Sequence, residues 1–158
     1  MKRLLPQQCP LAFLYLTWAA YILGTAYFLI SGDYLRAGVW VVALPTAWWV
    51  YVRIFPRVSH YMGYGRVDDA APGAIDHRAV RVTMYSSLGC PFCPIVQGRL
   101  IKLQQQMGFE LEHVDVTLHP ELLRAKSIRS VPVVEVGDRR WVGHATTREL
   151  AELIGASV

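Results

Sequence analysis

Two long stretches without charge constrain the fold of this chain most strongly. Residues 11–30 and residues 37–52 contain no charged side chain. A helix needs about 20 mainly apolar residues to cross a bilayer core, and both stretches reach that length if Arg36 and Arg53 extend their charged ends toward the membrane surface. The sequence therefore predicts a transmembrane hairpin in residues 1–56, with spans at about 11–30 and 37–55.

Basic residues at the outer ends of this hairpin predict its orientation. Lys2 and Arg3 precede the first span, and Arg53, Arg57 and Arg66 follow the second. By the positive-inside rule, both termini then face the cytoplasm. A cleaved signal peptide is the alternative for the first span, but its apolar run exceeds the usual length of about 7–15 residues and a second span follows. We expect an integral protein of a bacterial inner membrane, anchored or docked to another membrane protein by the hairpin.

The net charge of +4 is unevenly distributed. Residues 1–78 contain seven Lys and Arg against four acids, whereas residues 79–158 contain nine against eight. The basic excess therefore belongs to the membrane segment and its flanks, where it reports orientation. Nucleic-acid binding is not expected.

The second half of the chain has the pattern of a small α/β domain. Residues 57–78 are rich in Gly, Tyr, Asp and Ala without a sustained period, which predicts a linker ahead of a domain at residues 79–158. Alternating and helical apolar spacings predict the order β-α-β-α-β-β-α. The first helix of this domain is expected from Pro91 to Met107, and Thr146 with Glu149 predicts a capping box for the last.

A Cys-x-x-Cys motif lies at the start of that first helix. Cys90 is expected at the helix N-cap, where unpaired backbone N–H groups and the helix dipole lower the pKa of a thiol. Cys90 is then the nucleophile. Cys93, one helical turn later, is placed to resolve a mixed disulfide. Pro91 at the first helical position loses no hydrogen bond and stiffens the loop.

The same cysteine spacing also occurs in metal sites. Zinc normally needs four ligands, and the chain has no second cysteine pair, so His113, His119 and His144 would have to complete a site. A transient site for a soft ion, Cu(I) or Hg(II), is the stronger alternative. Cys9, the remaining cysteine, stands alone before the first span and is expected to be a structural or incidental thiol.

Taken together, the motifs of residues 79–156 resemble the glutaredoxin branch of the thioredoxin fold. The resemblance rests on a strand followed by the cysteine motif, on Ser130-Val131-Pro132 ahead of a strand, and on Gly143 before the last helix. It implies that Pro132 is cis and faces the dithiol, and that the backbone of Val131 pairs with the substrate. It also implies that Pro91, Phe92 and Gly143 help to line the substrate groove.

Two departures from glutaredoxins bear on the substrate. Glutaredoxins usually carry a Lys where this chain has Ser87, and a Gly-Gly-x-Asp-Asp stretch where it has residues 143–147, Gly-His-Ala-Thr-Thr. Both changes remove expected partners of glutathione, although Arg129 or backbone groups can substitute. The region from Leu88 to Gln97 also resembles the glutaredoxin-like domains of protein disulfide oxidoreductases and peroxide-reducing flavoprotein systems, which pass electrons between proteins.

The sequence thus predicts a membrane-anchored thiol–disulfide oxidoreductase with its catalytic domain in the cytoplasm. In that reducing compartment the dithiol is expected to act as a reductant or an electron relay. No organic cofactor is implied, because the protein sulfurs carry the electrons. The expected partners are a disulfide-containing protein or glutathione as co-substrate. The competing hypotheses are a soft-metal carrier using the same cysteines and an inactive scaffold.

Overall fold

The computed structural model describes residues 8–59, 61, 62, 64 and 80–156. Most of the linker predicted at residues 57–78 lies outside the described residues. Its first two residues form the end of a helix instead.

Two long helices form the hairpin expected at the start of the chain. Helix α1 is Leu11–Ile30 and helix α2 is Tyr34–Val58. Both are long and apolar enough to cross a membrane, and only 6% of each apolar window is buried inside the protein. Helix α2 begins three residues before the predicted span because Asp33 caps it, its carboxylate accepting a hydrogen bond from the backbone N–H of Arg36 at 3.3 Å.

The two helices approach closely at Gly24. A Cβ atom at this position would lie 2.9 Å from a ring carbon of Trp40, so only glycine admits the indole ring here. Trp40 also donates a hydrogen bond to the carbonyl of Tyr21 at 3.4 Å and packs on Phe28. This small-residue contact fixes how the hairpin closes.

The second half of the chain is built around one mixed sheet. In chain order, the strands are β1 (Cys9–Pro10), β2 (Arg81–Ser86), β3 (Glu110–Asp115), β4 (Ser130–Val131), β5 (Val133–Val136) and β6 (Arg139–Val142), and the remaining helices are α3 (Cys93–Met107), α4 (Pro120–Ala125) and α5 (Thr147–Gly155). The sheet order is β3-β2-β5-β6, with β2 parallel to β3 and antiparallel to β5, and β5 antiparallel to β6. This is the predicted β-α-β-α-β-β-α arrangement of a thioredoxin-like fold.

Helix α3 covers this sheet with an apolar face. Ile95, Val96, Leu100 and Leu103 are fully buried, as their spacing predicts. Gly108 ends the helix with φ at 76°, a left-handed conformation that glycine adopts without strain. The capping box predicted from Thr146 and Glu149 is present at the start of α5. These elements hold the loop before α3 against the end of the sheet.

Strands β1 and β4 form a second, two-stranded sheet that the sequence did not predict. The apolar run from Val131 to Val136 has the pattern of one strand, but it is interrupted at Pro132, which leaves β4 outside the main sheet. Strand β4 pairs antiparallel with β1, a segment that lies just before the hairpin. The start of the hairpin is thereby joined to the edge of the α/β domain.

Candidate active site

The cysteine motif occupies the turn between β2 and α3. Helix α3 begins at Cys93 with Phe92 as its N-cap, so Cys90 lies ahead of the helix and is not its N-cap residue. The expectation that the helix starts at Pro91 is wrong by two residues. Pro91 and Phe92 form a separate turn before the helix, in which the carbonyl of Cys90 accepts a hydrogen bond from the N–H of Cys93 at 3.3 Å. Gly89 enters this turn with φ at 87°. Cys93, by contrast, belongs to the first turn of the helix.

The loop around Pro132 lies next to Cys90. The Val131–Pro132 peptide bond is cis, as the resemblance implies. Sγ of Cys90 lies 3.9 Å from the carbonyl oxygen of Val131. On the far side, the N–H of Gly143 donates to the carbonyl of Pro132 at 2.7 Å, which fixes the loop against β6. The structure therefore brings Cys90, Val131, Pro132 and Gly143 into one region.

The chain's own first strand lies along this loop. Cys9 is paired in register with Val131, and the N–H of Leu11 donates to the carbonyl of Arg129 at 3.1 Å. This pairing places Sγ of Cys9 at 3.0 Å from Sγ of Cys90. The premise that Cys9 stands alone is therefore wrong, because Cys90 is its immediate neighbour.

The end of the hairpin covers the motif. The ring of Phe55, near the end of α2, packs edge-on against Phe92 with centroids 5.4 Å apart. The indole of Trp48 lies so close to Gly89 that a Cβ there would be 2.7 Å from its nitrogen. Cys90 is 1% exposed and Cys93 is 5% exposed as a result. No local motif in the sequence indicates this contact between the hairpin and the dithiol.

A buried layer of polar and aromatic groups packs against Phe92 inside the domain. The fully buried guanidinium of Arg99 donates to Nε2 of His144 at 2.7 Å, to the carbonyl of Ala145 at 2.6 Å and to the carbonyl of Tyr64 at 2.8 Å. The rings of Tyr64 and His144 are 5.2 Å apart, and both pack against Phe92. Arg99 thus joins α3, the start of α5 and Tyr64 into one support for the motif.

Contacts among the cysteines, together with burial, set the pKa values of the thiols in this arrangement. The hydrogen bond shared with Cys9 lowers the pKa of Cys90, but the contact with Cys93 and burial outweigh it and raise the pKa to about 12. The hydrogen bond with Cys90 and burial likewise raise the pKa of Cys9 far above its ordinary value. The expected lowering of the Cys90 pKa does not occur here, because the thiol is shielded from water and lies ahead of the helix end.

Ser87 and His144, two residues at which this chain differs from glutaredoxins, contact other groups within the domain. The hydroxyl of Ser87 lies 3.0 Å from that of Thr117, and the backbone carbonyl of Ser87 accepts the N–H of Cys90 at 3.2 Å. His144 is fully buried beneath Phe92. Within the part of the chain that the structure describes, no group of three or more His, Cys, Asp or Glu side chains is placed to hold a metal ion.

The domain matches known proteins in sequence. Residues 81–154 match the family described as a glutaredoxin-like domain. The glutaredoxin-like protein NrdH of Salmonella typhimurium is 35% identical over 65 residues, a region that represents 39% of this chain and 75% of the relative.

Two solved structures are also similar. The NTD_N/C domain of alkylhydroperoxide reductase AhpF from Enterococcus faecalis is 31% identical with a TM-score of 0.44, over 52% of this chain and 41% of that one. Thioredoxin-2, described as a component of malaria parasite protein secretion machinery, is 24% identical with a TM-score of 0.46, over 49% of this chain and 82% of that one. The chain thus spans less than half the length of the reductase chain. The extent of the NrdH match shows that this chain belongs to the glutaredoxin-like proteins and is a thiol–disulfide oxidoreductase.

Proposed function

We propose that the protein is a membrane-anchored dithiol–disulfide oxidoreductase in which Cys90 is the nucleophile and Cys93 resolves. The observation that carries this assignment is the position of the Cys90 sulfur beside the carbonyl of Val131, at 3.9 Å. A substrate strand pairing with β4 would bring its sulfur to Cys90. Cys93 starts α3 behind Cys90, which suits attack on Cys90 from within the protein.

The reaction proceeds by two exchange steps. The thiolate of Cys90 attacks a substrate disulfide, forming a mixed disulfide and releasing one substrate thiol. The thiolate of Cys93 then attacks Sγ of Cys90, forming the Cys90–Cys93 disulfide and releasing the second substrate thiol. The substrate gains two electrons and two protons, and an external dithiol or glutathione returns them to the protein. No organic cofactor enters either step.

The hairpin is proposed to hold this site at the cytoplasmic surface of a membrane. Helix α2, with 25 residues, is about 37 Å long, while a bilayer core is about 30 Å thick. The last turns of α2 therefore extend beyond the core, and Phe55, which contacts Phe92, lies in them. The basic flanks favour a cytoplasmic location. On this proposal residues 1–56 are the anchor, residues 57–78 the linker and residues 79–158 the catalytic domain.

A protein disulfide is the proposed principal substrate, with glutathione as a possible co-substrate. Ser87 and His144 replace residues that glutaredoxins use, and both are engaged inside the domain, with Thr117 and Arg99 respectively. An extended protein strand can instead use the backbone of β4 for recognition, as β1 does. Recognition by main-chain pairing does not require the missing Lys and Asp side chains.

The test is disulfide reduction by the full chain in lipid nanodiscs, supplied with a dithiol reductant. Cys90→Ser is expected to abolish reduction of insulin. Because Cys9 lies 3.0 Å from Cys90 and can itself release a bound substrate, the double variant Cys9→Ser with Cys93→Ser is the one expected to trap substrate as a mixed disulfide on Cys90. Gln105→Ala, on the exposed face of α3, is the matched control and is expected to leave the rate unchanged. Retained activity in Cys90→Ser would refute the assignment. If the chain instead binds Cu(I) stoichiometrically and traps no substrate, the metal-carrier alternative is correct.

Orientation is tested separately by labelling from each side of the membrane. Ser31→Cys, in the hairpin turn, and Asp138→Cys, in the turn between β5 and β6, are both exposed. In a background without the native cysteines, a membrane-impermeant maleimide is expected to label position 138 only from the cytoplasmic side and position 31 only from the opposite side. Labelling of both positions from one side would overturn the transmembrane hairpin.

A further inference from the structure

Strand β1 lies where a substrate strand is expected to pair. It runs antiparallel to β4 with Cys9 opposite Val131, the residue whose backbone the fold offers to a substrate. Both ends of the short pairing are held, by the bond from Leu11 N–H to the carbonyl of Arg129 and by a 2.9 Å contact between the side chains of Gln8 and Ser130. The sulfur that this strand presents to Cys90 belongs to Cys9.

We propose that Cys9 is a third redox-active thiol, and that β1 is a built-in substrate strand whose cysteine forms an intramolecular disulfide with Cys90. This inference rests on the proposed function of Cys90 and Cys93. The two sulfurs are 3.0 Å apart, and closing that gap requires movement of about 1 Å to reach a disulfide bond of about 2 Å.

The step is an internal exchange that needs no external oxidant. Starting from the Cys90–Cys93 disulfide, the thiolate of Cys9 attacks Sγ of Cys90. The Cys9–Cys90 bond forms, the Cys90–Cys93 bond breaks, and the proton lost by Cys9 is taken up by Cys93. The number of disulfides is unchanged, so the oxidising equivalents stay in the protein.

Tethering makes Cys9 a strong competitor for Cys90. A thiol held in the groove acts at an effective concentration of millimolar or higher, well above that of a dilute protein partner. Leu11 and Leu14, which follow the strand in α1, are 6% exposed and pack into the same apolar cluster as Cys90 and Phe92. A partner must therefore displace a strand that is anchored by the hairpin.

The experiment uses the full chain in nanodiscs with Cys93 replaced, so that a disulfide on Cys90 cannot be resolved. After oxidation with one equivalent of diamide and alkylation, Cys93→Ser is expected to give a Cys9–Cys90 linked peptide by mass spectrometry and a monomer on a non-reducing gel. Cys93→Ala is expected to give the same Cys9–Cys90 link, so the test still works if the serine variant does not fold. Cys9→Ser with Cys93→Ser removes the link.

A matched control moves the thiol by one residue. In Gln8→Cys with Cys9→Ser and Cys93→Ser, the thiol lies one residue before β1, where the native side chain of Gln8 contacts the hydroxyl of Ser130 and not Cys90. The yield of linked peptide is expected to fall at least about tenfold, since the tether is the same and only the direction differs. Equal yield from position 8 would overturn a specific substrate strand, because a flexible tether alone would then explain the link.

Two further outcomes would overturn the inference and leave the proposed function standing. One is that, in the oxidised Cys93→Ser protein, Cys90 carries only added glutathione or a diamide adduct and is not linked to Cys9. The other is a disulfide that joins two chains on the non-reducing gel. Loss of insulin reduction in Cys90→Ser supports the proposed function whatever Cys9 does, so the two failures are distinguishable.

Discussion

Phe55 is the side chain whose removal should expose the dithiol most directly. It is 5% exposed and packs against Phe92 and Tyr64, with ring centroids 5.4 and 6.0 Å away. Replacing a buried Phe by Ala costs about 3–5 kcal/mol. We take the lower value because this ring lies at the contact between α2 and the α/β domain, not inside the core of either. About 3 kcal/mol shifts the equilibrium between covered and uncovered site about 150-fold.

The assay is alkylation of Cys90 by iodoacetamide in the reduced, full-length protein at neutral pH, followed by mass spectrometry. If covering limits access, Phe55→Ala should accelerate alkylation by about two orders of magnitude, up to the rate of an exposed thiol. Ile54→Ala is the matched control, since Ile54 is 45% exposed on the adjacent position, and should change the rate less than about twofold. A Phe55→Ala rate within threefold of the wild type, in a folded protein, would refute the covering of the site by α2.

Three other perturbations follow from the structure. Gly24→Ala should destabilise the hairpin by about 1–3 kcal/mol, because the added Cβ would lie 2.9 Å from Trp40. Gly38→Ala is the control and should not destabilise it, because nothing lies within 4 Å of a Cβ there; thermal unfolding in detergent compares the two variants. Arg99→Met should cost about 2–4 kcal/mol in urea unfolding, because three buried acceptors lose their donor. Since the pKa of Cys90 is raised to about 12 when covered and the pKa of Cys9 is raised as well, the covered state should be unaffected by pH below the ordinary thiol pKa. Between that pKa and about pH 12 it should weaken by at least about 1.4 kcal/mol per pH unit. The assay is the fluorescence of Trp48 in a variant whose other tryptophans are replaced by Phe, since the environment of Trp48 changes when the site is uncovered. Fluorescence that stays constant at alkaline pH would contradict this prediction.

The elements of the α/β domain were predictable because each has a local signal. The spacing of Ile95, Val96, Leu100 and Leu103 marks the buried face of α3, and Thr146 with Glu149 marks the start of α5. The start of α3 was placed too early, at Pro91, because a proline suits the first helical position; the helix begins at Cys93. The cis bond at Pro132 was implied by the resemblance, whereas the break between β4 and β5 has no signal in the apolar spacing.

The acidity of Cys90 could not be derived from the motif. The sequence argument weighed the helix end, which lowers a thiol pKa, but the desolvation comes from residues far away in the chain. Phe55 and Trp48, both on α2, cover the motif through Phe92 and Gly89. The contact with Cys93 and burial both disfavour the thiolate of Cys90, and together they outweigh the hydrogen bonds that favour it.

Cys9 shows how a topological argument can find what a local motif cannot. Cys9 and Cys90 are separated by 81 positions, so no spacing rule relates them. The basic flanks, however, predict that both ends of the hairpin lie on the same side of the membrane, and Cys9 directly precedes α1 while the dithiol domain follows α2. An antiparallel hairpin brings those two ends together at one boundary. A third cysteine at that boundary is therefore a candidate partner of the dithiol from sequence alone, and the pairing of β1 with β4 supplies the register that sequence cannot.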